Sequence, residues 1–184
     1  MSVKERVDTL LVRNGLFDTR EQAKRAIMAG RVYIDETRVD KPGTKIKADS
    51  QLTVKGPKEK YVGRGGYKLE KALDHFQIDI FGQTAIDIGA STGGFTDCML
   101  QNGAKKVYAV DVGYNQLAWK LRRDERVVVM ERMNFRYADP SLFEEDKPTF
   151  AAIDVSFISL TYMLPVLGKI IAKKGKVISL VKPQ

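Results

Sequence analysis

Residues 87–95 read DIGASTGGF, and this stretch decides the fold of the larger part of the chain. It closes a short apolar segment, residues 84–88, that predicts a buried strand, and it runs into an apolar segment at residues 95–100 that predicts a helix. Glycines between a first strand and a helix let the backbone turn sharply and approach a ligand closely. The helix then offers its N terminus to a negative group. The stretch therefore predicts the ligand-binding turn of an α/β sheet.

Strand-like and helix-like segments alternate along the rest of this region. Further strands are predicted at residues 107–110, 127–130, 150–155 and 176–181, and helices at residues 117–121 and 160–171. Repeated strand–helix–strand units indicate a parallel sheet with helices on both faces. We therefore predict a Rossmann-like α/β fold.

The glycine turn is open to three interpretations. Asp111 ends the second predicted strand, 22 residues after Gly89, near the spacing at which an acidic residue binds ribose hydroxyls. A dinucleotide requires a second glycine where Ser91 stands, and Asp87 would repel its pyrophosphate. S-adenosylmethionine has no phosphate, and Asp87 suits its cationic amino-acid group, so the sequence favours this methyl donor. In the structural interpretation, Asp87 caps the loop and the glycines only permit the turn.

Three charged residues form the predicted catalytic set. Ligands of open parallel sheets bind beyond the carboxyl ends of the strands. Asp154 ends the predicted fourth strand and Lys182 the fifth, so we expect both on the rim that carries the glycine turn. Lys68 lies at the entry to another predicted helix. In the alternative interpretation, Asp154 and Lys182 are ordinary charged residues that enter solvent where their strands end.

The first 57 residues predict a separate, small α+β domain. Val7, Leu10 and Leu11 form the apolar face of a first helix, and Thr19 and Gln22 have the spacing of a capping box that starts a second. Short strands are predicted at residues 32–34, 38–39 and 52–54. A linker and entry helix follow over residues 58–82, and the α/β domain occupies residues 83–184.

The charge of the chain favours a polyanionic partner. The net charge of the 184 residues is +8, and residues 1–60 carry 14 Lys+Arg against 9 Asp+Glu. Nucleic acid is favoured over an anionic membrane surface, and a solvated basic surface is the alternative. Cys98 is the only cysteine, and no apolar stretch reaches the ~20 residues that span a bilayer. We expect a cytoplasmic protein with no stable membrane insertion.

Basic side chains along the two N-terminal helices suit a phosphate backbone, because a guanidinium group donates two hydrogen bonds to one phosphate. The predicted RNA-contacting residues are Arg6, Arg13, Arg20, Lys24, Arg25 and Arg31, together with Arg64 before the entry helix. This first part of the chain resembles the "S-four" RNA-binding domain over about residues 4–55. The resemblance rests on the segments and spacings of Arg6-Val7-Asp8, Arg20, Ala23, Ile27, Gly30, Val32 and Lys41-Pro42. Thr19 and Glu36 stand where serine and glycine are common.

The second part is similar to ribose 2′-O-methyltransferases of the FtsJ type. With the first part, the order is similar to the TlyA family, which is often labelled hemolysin and contains ribosomal RNA 2′-O-methyltransferases. The most specific segments are residues 64–69, 87–95, 154–160 and 181–184. Gly63 stands where that family often has serine. The resemblance implies S-adenosylmethionine as the cofactor and ribosomal RNA or ribosomal subunits as partners rather than DNA. We expect no metal ion.

The resemblance also implies a Lys-Asp-Lys-Glu catalytic set. Lys68, Asp154 and Lys182 match its first three members, and the glutamate is expected beyond residue 184. We therefore expect a methyltransferase sheet that is incomplete at the C terminus, with an exposed edge. Lys182 is the predicted base for the ribose hydroxyl, Lys68 the cation that favours its neutral form, and Asp154 the residue that orients them.

The predicted cofactor-binding residues follow from the turn and from the resemblance. They are Asp87, Gly89, Ala90, Ser91, Thr92, Gly93, Gly94, Phe95, Asp111, Val112 and Asn134. For Asn134, capping of a loop is an equally good interpretation. The alternative functions are a non-catalytic RNA-binding protein, a membrane-active hemolysin and, more weakly, a nicotinamide-dependent dehydrogenase.

Overall fold

The structure, a computed structural model, describes residues 3–56 and 59–182. The chain divides into two compact units, residues 1–58 and residues 59–184, and each has a hydrophobic core of its own. Pro57, at the predicted domain boundary, and Pro183 and Gln184, which end the last specific segment, lie outside the described residues.

The first unit combines two helices with two small antiparallel sheets. Its elements are β1 (Lys4–Arg6), α1 (Val7–Arg13), α2 (Arg20–Met28), β2 (Val32–Ile34), β3 (Thr37–Arg38), β4 (Lys45–Lys47) and β5 (Leu52–Val54). β1 pairs with β4, and β2 pairs with both β3 and β5. The sequence predicts neither β1 nor β4, since both segments alternate charged residues with one half-buried residue and carry little apolar signal.

The two helices form because each buries an apolar face against the other. Val7 and Leu11 of α1 pack with Ala23 and Ile27 of α2 in one core. Thr19 Oγ1 accepts the Gln22 backbone N–H at 3.2 Å, which satisfies one of the free donors at the start of α2. The Gln22 side chain accepts the backbone N–H of Asp18, whereas a capping box would use the N–H of Thr19 itself. The second hydrogen bond of the predicted capping box is therefore shifted by one residue.

The second unit is a five-stranded parallel sheet with helices on both faces. Its elements are α3 (Gly65–His75), β6 (Thr84–Ile88), α4 (Gly94–Gln101), β7 (Lys106–Val110), α5 (Trp119–Arg122), β8 (Val127–Met130), short 3-10 helices at Phe135–Tyr137 and Pro140–Phe143, β9 (Phe150–Ile153), α6 (Leu160–Ile170) and β10 (Lys176–Ser179). The strand order is β10-β9-β6-β7-β8, and every pair is parallel. This confirms the predicted α/β fold class.

Alternate residues of the central strand face opposite layers, as the period of a strand requires. Ala85 of β6 packs towards α3 and α4, in a core that contains Leu69 and Met99. Ile86 packs on the other side, where Phe143 and Leu167 cover the sheet. Each fully buried aliphatic side chain stabilises the sheet by roughly 1.5–3 kcal/mol. By the same alternation, Asp87 lies on the α4 side.

Several predicted boundaries were wrong by a few residues. The helix predicted at residues 117–121 begins only at Trp119, because Ala118 is extended and the buried Leu117 packs against Gly93 instead. β9 and β10 each end two residues earlier than predicted. Pro165 lies in the middle of α6, inside the helix predicted at residues 160–171. It is tolerated there because its ring and the Thr161 residue whose carbonyl it leaves unbonded are both exposed to solvent.

Candidate functional site

The candidate site lies where the strand order of the sheet reverses. After β6 the chain adds β7 and β8 on one side, and it then returns to add β9 and β10 on the other. Ligands of open α/β sheets bind beyond the carboxyl ends of the strands at such a point. Gly89 and Asp154 each follow one of the two strands that flank it. A Cβ on Gly89 would lie 2.3 Å from the Asp154 carbonyl oxygen, so the close approach of these two segments requires glycine there.

The start of α3 packs against the same glycine loop. A Cβ on Gly94 would lie 2.9 Å from the Gly66 nitrogen and 3.1 Å from the Gly63 oxygen, so backbone touches backbone at this contact. Lys68 is exposed on α3, one turn further on. Within the described residues its amine makes no hydrogen bond or ion pair. The structure thus brings the helix that carries Lys68 to the loop without joining Lys68 to the other two predicted catalytic residues.

The Asp111 carboxylate connects two loops of the rim. Its Oδ2 accepts the Ser91 N–H at 2.8 Å, and its Oδ1 accepts the Gly113 N–H at 2.7 Å. A carboxylate has about four acceptor positions, so two remain for ligand hydroxyls. The side chain of the next residue, Val112, is 62% exposed. Asp111 therefore holds the loop in place and still offers acceptors to a ligand.

Asp87 is a fully buried acid that is only half satisfied. Its Oδ2 accepts the Thr96 hydroxyl at 2.7 Å, and its Oδ1 has no hydrogen-bond partner in the described part of the chain. Burial raises the pKa of Asp87 to about 7, although the Thr96 hydrogen bonds lower it. The negative charges of Asp154 and Asp111 raise the pKa further by smaller amounts. Asp87 Oδ1 is therefore available to accept a hydrogen bond from a cationic ligand.

Asp154 and Lys182 form an ion pair on the rim. The Lys182 Nζ lies 2.5 Å from the Asp154 Oδ1 and also donates to the Ser156 Oγ at 3.1 Å and the Val155 carbonyl at 3.4 Å. Asp154 immediately follows β9, and Lys182 follows β10 by three residues. Because β9 and β10 are parallel neighbours, their ends place these two side chains together.

The other predicted cofactor residues occupy different surroundings. Ser91 and Thr92 are exposed, whereas the remaining loop residues, Ala90, Gly93, Gly94 and Phe95, are buried. Asn134 caps a 3-10 helix, because its side chain accepts the Arg136 backbone N–H at 3.1 Å. That contact agrees with the capping interpretation of Asn134, and a role beside the cofactor stays a prediction.

The basic residues of the first unit are organised around acids. Arg6 and Arg20 both donate to the buried Asp8, Arg6 through two hydrogen bonds of 2.9 and 3.0 Å and Arg20 through one of 3.0 Å. These guanidinium groups hold the pKa of Asp8 well below its usual range. Arg13 pairs with Glu5.

The remaining members of this set differ from one another. Lys24 pairs with Glu21 at 3.3 Å, and Arg31 donates to the Lys55 carbonyl. Arg25 is exposed, and so is Arg64 at the start of α3. The side chains of Arg6 and Arg20 remain 45% and 53% exposed, so the shared carboxylate fixes their positions without removing them from solvent.

Comparison with known proteins identifies the family. A sequence model described as FtsJ-like methyltransferase matches residues 61–184, which is more than half of the chain. The chain belongs to the FtsJ-like methyltransferase family. A model described as S4 domain, the S-four domain of the sequence analysis, matches residues 5–52. The predicted pairing of an RNA-binding domain with an FtsJ-like domain is thereby confirmed.

Individual relatives place this FtsJ-like methyltransferase beside TlyA. The protein named 16S/23S rRNA (cytidine-2′-O)-methyltransferase TlyA from Mycobacterium tuberculosis is 45% identical over all of this chain and 69% of its own length. YqxC of Bacillus subtilis, whose name presents it as an inferred rRNA methyltransferase, is 64% identical over all of this chain and 65% of its own length. A solved structure from Streptococcus thermophilus, titled as an inferred hemolysin, matches 99% of this chain and 67% of its own with a TM-score of 0.69 and 60% identity.

The chain thus spans about two thirds of the length of these relatives. No helix in residues 3–56 and 59–182 is long and apolar enough to cross a membrane.

The residues at the rim fit the cofactor that the FtsJ-like family implies, a methyl donor of the S-adenosylmethionine type. The unpartnered, buried oxygen of Asp87 requires a donor or a cation. Around Gly89 and Gly94 there is no room for side chains, so the glycine loop packs closely against the segment after β9 and against the start of α3. Asp111 offers free acceptor positions for hydroxyl groups.

Sequence reasoning missed two residues of this FtsJ-like protein. Asp8, which orients two predicted RNA-contacting arginines, reads as an ordinary surface acid in the first turn of a helix. Only its position on the buried face, next to Val7 and one turn before Leu11, signals its burial. Thr96, the partner of Asp87, sits in an apolar helix where threonine reads as core filler.

Proposed function

We propose that this chain binds S-adenosylmethionine at the rim of its sheet and methylates ribose 2′-hydroxyl groups of ribosomal RNA. The observation that carries the proposal is the Asp154–Lys182 ion pair, because the backbone of Asp154 packs against Gly89 of the glycine loop. A relative that is 45% identical bears the name of an rRNA (cytidine-2′-O)-methyltransferase.

Three groups of residues would hold the cofactor. The Asp87 carboxylate would accept the α-ammonium group, the Asp111 carboxylate the ribose hydroxyls, and the backbone of residues 89–94 would line the methionine part. Val112 and Asn134 would lie beside the adenine. When bound, S-adenosylmethionine supplies an electrophilic methyl group on a sulfonium ion.

The residues of the ion pair would handle the proton of the ribose hydroxyl. That hydroxyl is a very weak acid, so its proton has to leave as the new bond forms. Lys182 would accept it after giving up to solvent the proton that it holds in the ion pair, and Asp154 would orient both the amine and the hydroxyl. Lys68, on the helix that packs against the loop, would add positive charge next to the developing oxyanion. Holding the hydroxyl in line with the methyl group would supply much of the rate.

The first unit would hold the RNA. Arg6 and Arg20 present guanidinium groups that are fixed by one buried carboxylate and half open to solvent. Fixed guanidinium groups lose little side-chain entropy when they bind phosphate. Arg13, Lys24, Arg25 and Arg31 would extend this contact along the backbone of the RNA, and Arg64 would add one from the second unit.

A methyl-transfer assay tests the proposal. Ribosomal subunits are incubated with this chain and a radiolabelled methyl donor, and the digested nucleosides are separated to distinguish ribose from base methylation. We expect 2′-O-methylated nucleosides with the unmodified chain, none with Lys182→Ala, and an unchanged amount with Lys169→Ala, which removes an exposed lysine of α6. Label on a base, or full activity of Lys182→Ala, would refute the assignment.

RNA binding without catalysis is the second candidate. The S4 match over residues 5–52 and the excess of Lys+Arg in residues 1–60 favour it. Retention of ribosomal RNA by a chain that neither binds the cofactor nor transfers methyl groups would establish this function instead.

A further inference from the structure

Thr96 is the one side chain that holds the buried Asp87 carboxylate among the described residues. It is the third residue of α4 and has no exposed surface. Its hydroxyl donates to Asp87 Oδ2 at 2.7 Å, which leaves Oδ1 as the oxygen without a partner. The hydrogen bond therefore decides which carboxylate oxygen is used within the protein and which is left over.

The neighbouring strands offer nothing to the second oxygen. Asp87 stands in register with Ala109 of β7 and Ala152 of β9, and both are buried. The methyl groups of these alanines cannot donate hydrogen bonds to the carboxylate. A fold selected only for stability would place a donor at one of these positions, because an unpaired buried polar atom costs about 1–3 kcal/mol.

The charged groups around Asp87 also disfavour a partner from within the protein. From the end of β7 it faces Asp111, and from the end of β9 it faces Asp154, so both charges that act on it are negative. Among the described residues, Lys182 pairs with Asp154, and Asp87 Oδ1 has no partner. From α4 the group that faces it is the neutral Thr96. A ligand cation is therefore the group that complements this position.

We propose that Thr96 is a positioning residue, which fixes the Asp87 carboxylate so that its free oxygen receives the α-ammonium group of the cofactor. This inference rests on the proposed cofactor site. Without the hydroxyl of Thr96, the carboxyl group would rotate and ionise less readily, and the ammonium group would lose its partner. The adenosine part of the cofactor would be unaffected.

Calorimetric titration of two ligands into three chains tests this role. S-adenosylhomocysteine contains the amino-acid group, and 5′-methylthioadenosine lacks it. The chains are the unmodified protein, Thr96→Val, which keeps the shape of the side chain but loses the hydroxyl, and Thr96→Ser, which keeps the hydroxyl. Each titration is repeated between pH 6 and pH 8.

We expect Thr96→Val to weaken S-adenosylhomocysteine binding about tenfold or more, because a hydrogen bond to a charged group is lost. The rise in affinity with pH, which follows ionisation of Asp87, should move to higher pH in this variant, and Thr96→Ser should restore both properties. Affinity for 5′-methylthioadenosine should not change.

Two outcomes would overturn the inference. One is wild-type affinity and pH dependence in Thr96→Val. The other is an equal loss for both ligands, since that would mean a general disturbance of the helix. Failure of the unmodified chain to bind either ligand would instead refute the proposed cofactor site itself.

Discussion

Replacing Asp87 by asparagine should stabilise the second unit at neutral and alkaline pH while it removes cofactor binding. Asparagine has nearly the same shape and still accepts the Thr96 hydroxyl, but it carries no charge. The unmodified protein has to bury an ionised carboxylate between two alanine neighbours whenever the pH is above the pKa of Asp87. The variant does not bear this cost.

The magnitude follows from the pKa of Asp87, which burial raises from 3.8 to about 7. An acid whose pKa is raised on folding binds more protons in the folded state between those two values. The free energy of unfolding of the unmodified protein therefore falls as the pH rises from about 4 to about 7. A rise in pKa from 3.8 to about 7 corresponds to roughly 4 kcal/mol in the free energy of unfolding. Asparagine does not titrate, so the advantage of the variant should grow by about that amount between pH 4 and pH 8.

Urea denaturation followed by the fluorescence of Trp119 measures this difference, because the single tryptophan lies in the second unit. Curves at pH 5, 6, 7 and 8 give the free energy of unfolding of each chain. Asp74→Asn, which neutralises an exposed acid of α3, serves as the control and should show no such trend. If the difference between Asp87→Asn and the unmodified protein were the same at every pH, the buried carboxylate would not titrate as argued.

Three further changes give expected results. Gly89→Ala should lower cofactor affinity at least tenfold in calorimetric titration, because its Cβ would collide with the Asp154 carbonyl. Gly82→Ala is the control, since Gly82 has a similar positive φ and open space around it. This control should cost only about 1–2 kcal/mol of backbone strain and leave cofactor binding intact. Asp8→Asn should destabilise the first unit by about 2 kcal/mol, seen as faster hydrogen exchange over residues 4–54. It should also weaken RNA binding in a filter assay, because the two arginines lose the negative charge and one of the two oxygens that accept their hydrogen bonds. Lys182→Met should abolish methyl transfer yet keep S-adenosylhomocysteine affinity within about threefold, and a large loss of affinity would contradict its role as base.

The sequence was sufficient for the sheet because its strands carry strong local signals. The segments that became β6 to β10 are apolar and short, and their alternation with helices predicts a parallel sheet. β1 and β4 carry no such signal, since only their pairing with each other turns two charged tripeptides into strands. The predictable part of the fold is therefore the part in which local pattern and burial agree.

The candidate site was predictable to the same extent. The ends of parallel strands meet at one edge, so Gly89, Asp111, Asp154 and Lys182 were expected on one rim, and the structure places them there. No local pattern gives the contacts that depend on two distant segments. Asp8 is buried and Thr96 donates a hydrogen bond to Asp87 because of how the helices pack. The spacing of residues along the sequence does not reveal this packing.

The charge of the rim is opposite to that of the whole chain, and under the proposed function this difference would separate the two ligands. The protein carries +8 overall, yet the carboxyl groups of Asp87, Asp111 and Asp154 converge at the switch point, and Lys182 neutralises only the last of them. A polyanion gains nothing from entering such a pocket, whereas a cofactor with an ammonium and a sulfonium group does. In the proposed function, arginines on the first unit would attract phosphates. Under the proposed function, the net charge would draw the RNA backbone to the protein and the local charge of the rim would disfavour its entry at the cofactor site, so that only a ribose hydroxyl would need to reach the ion pair.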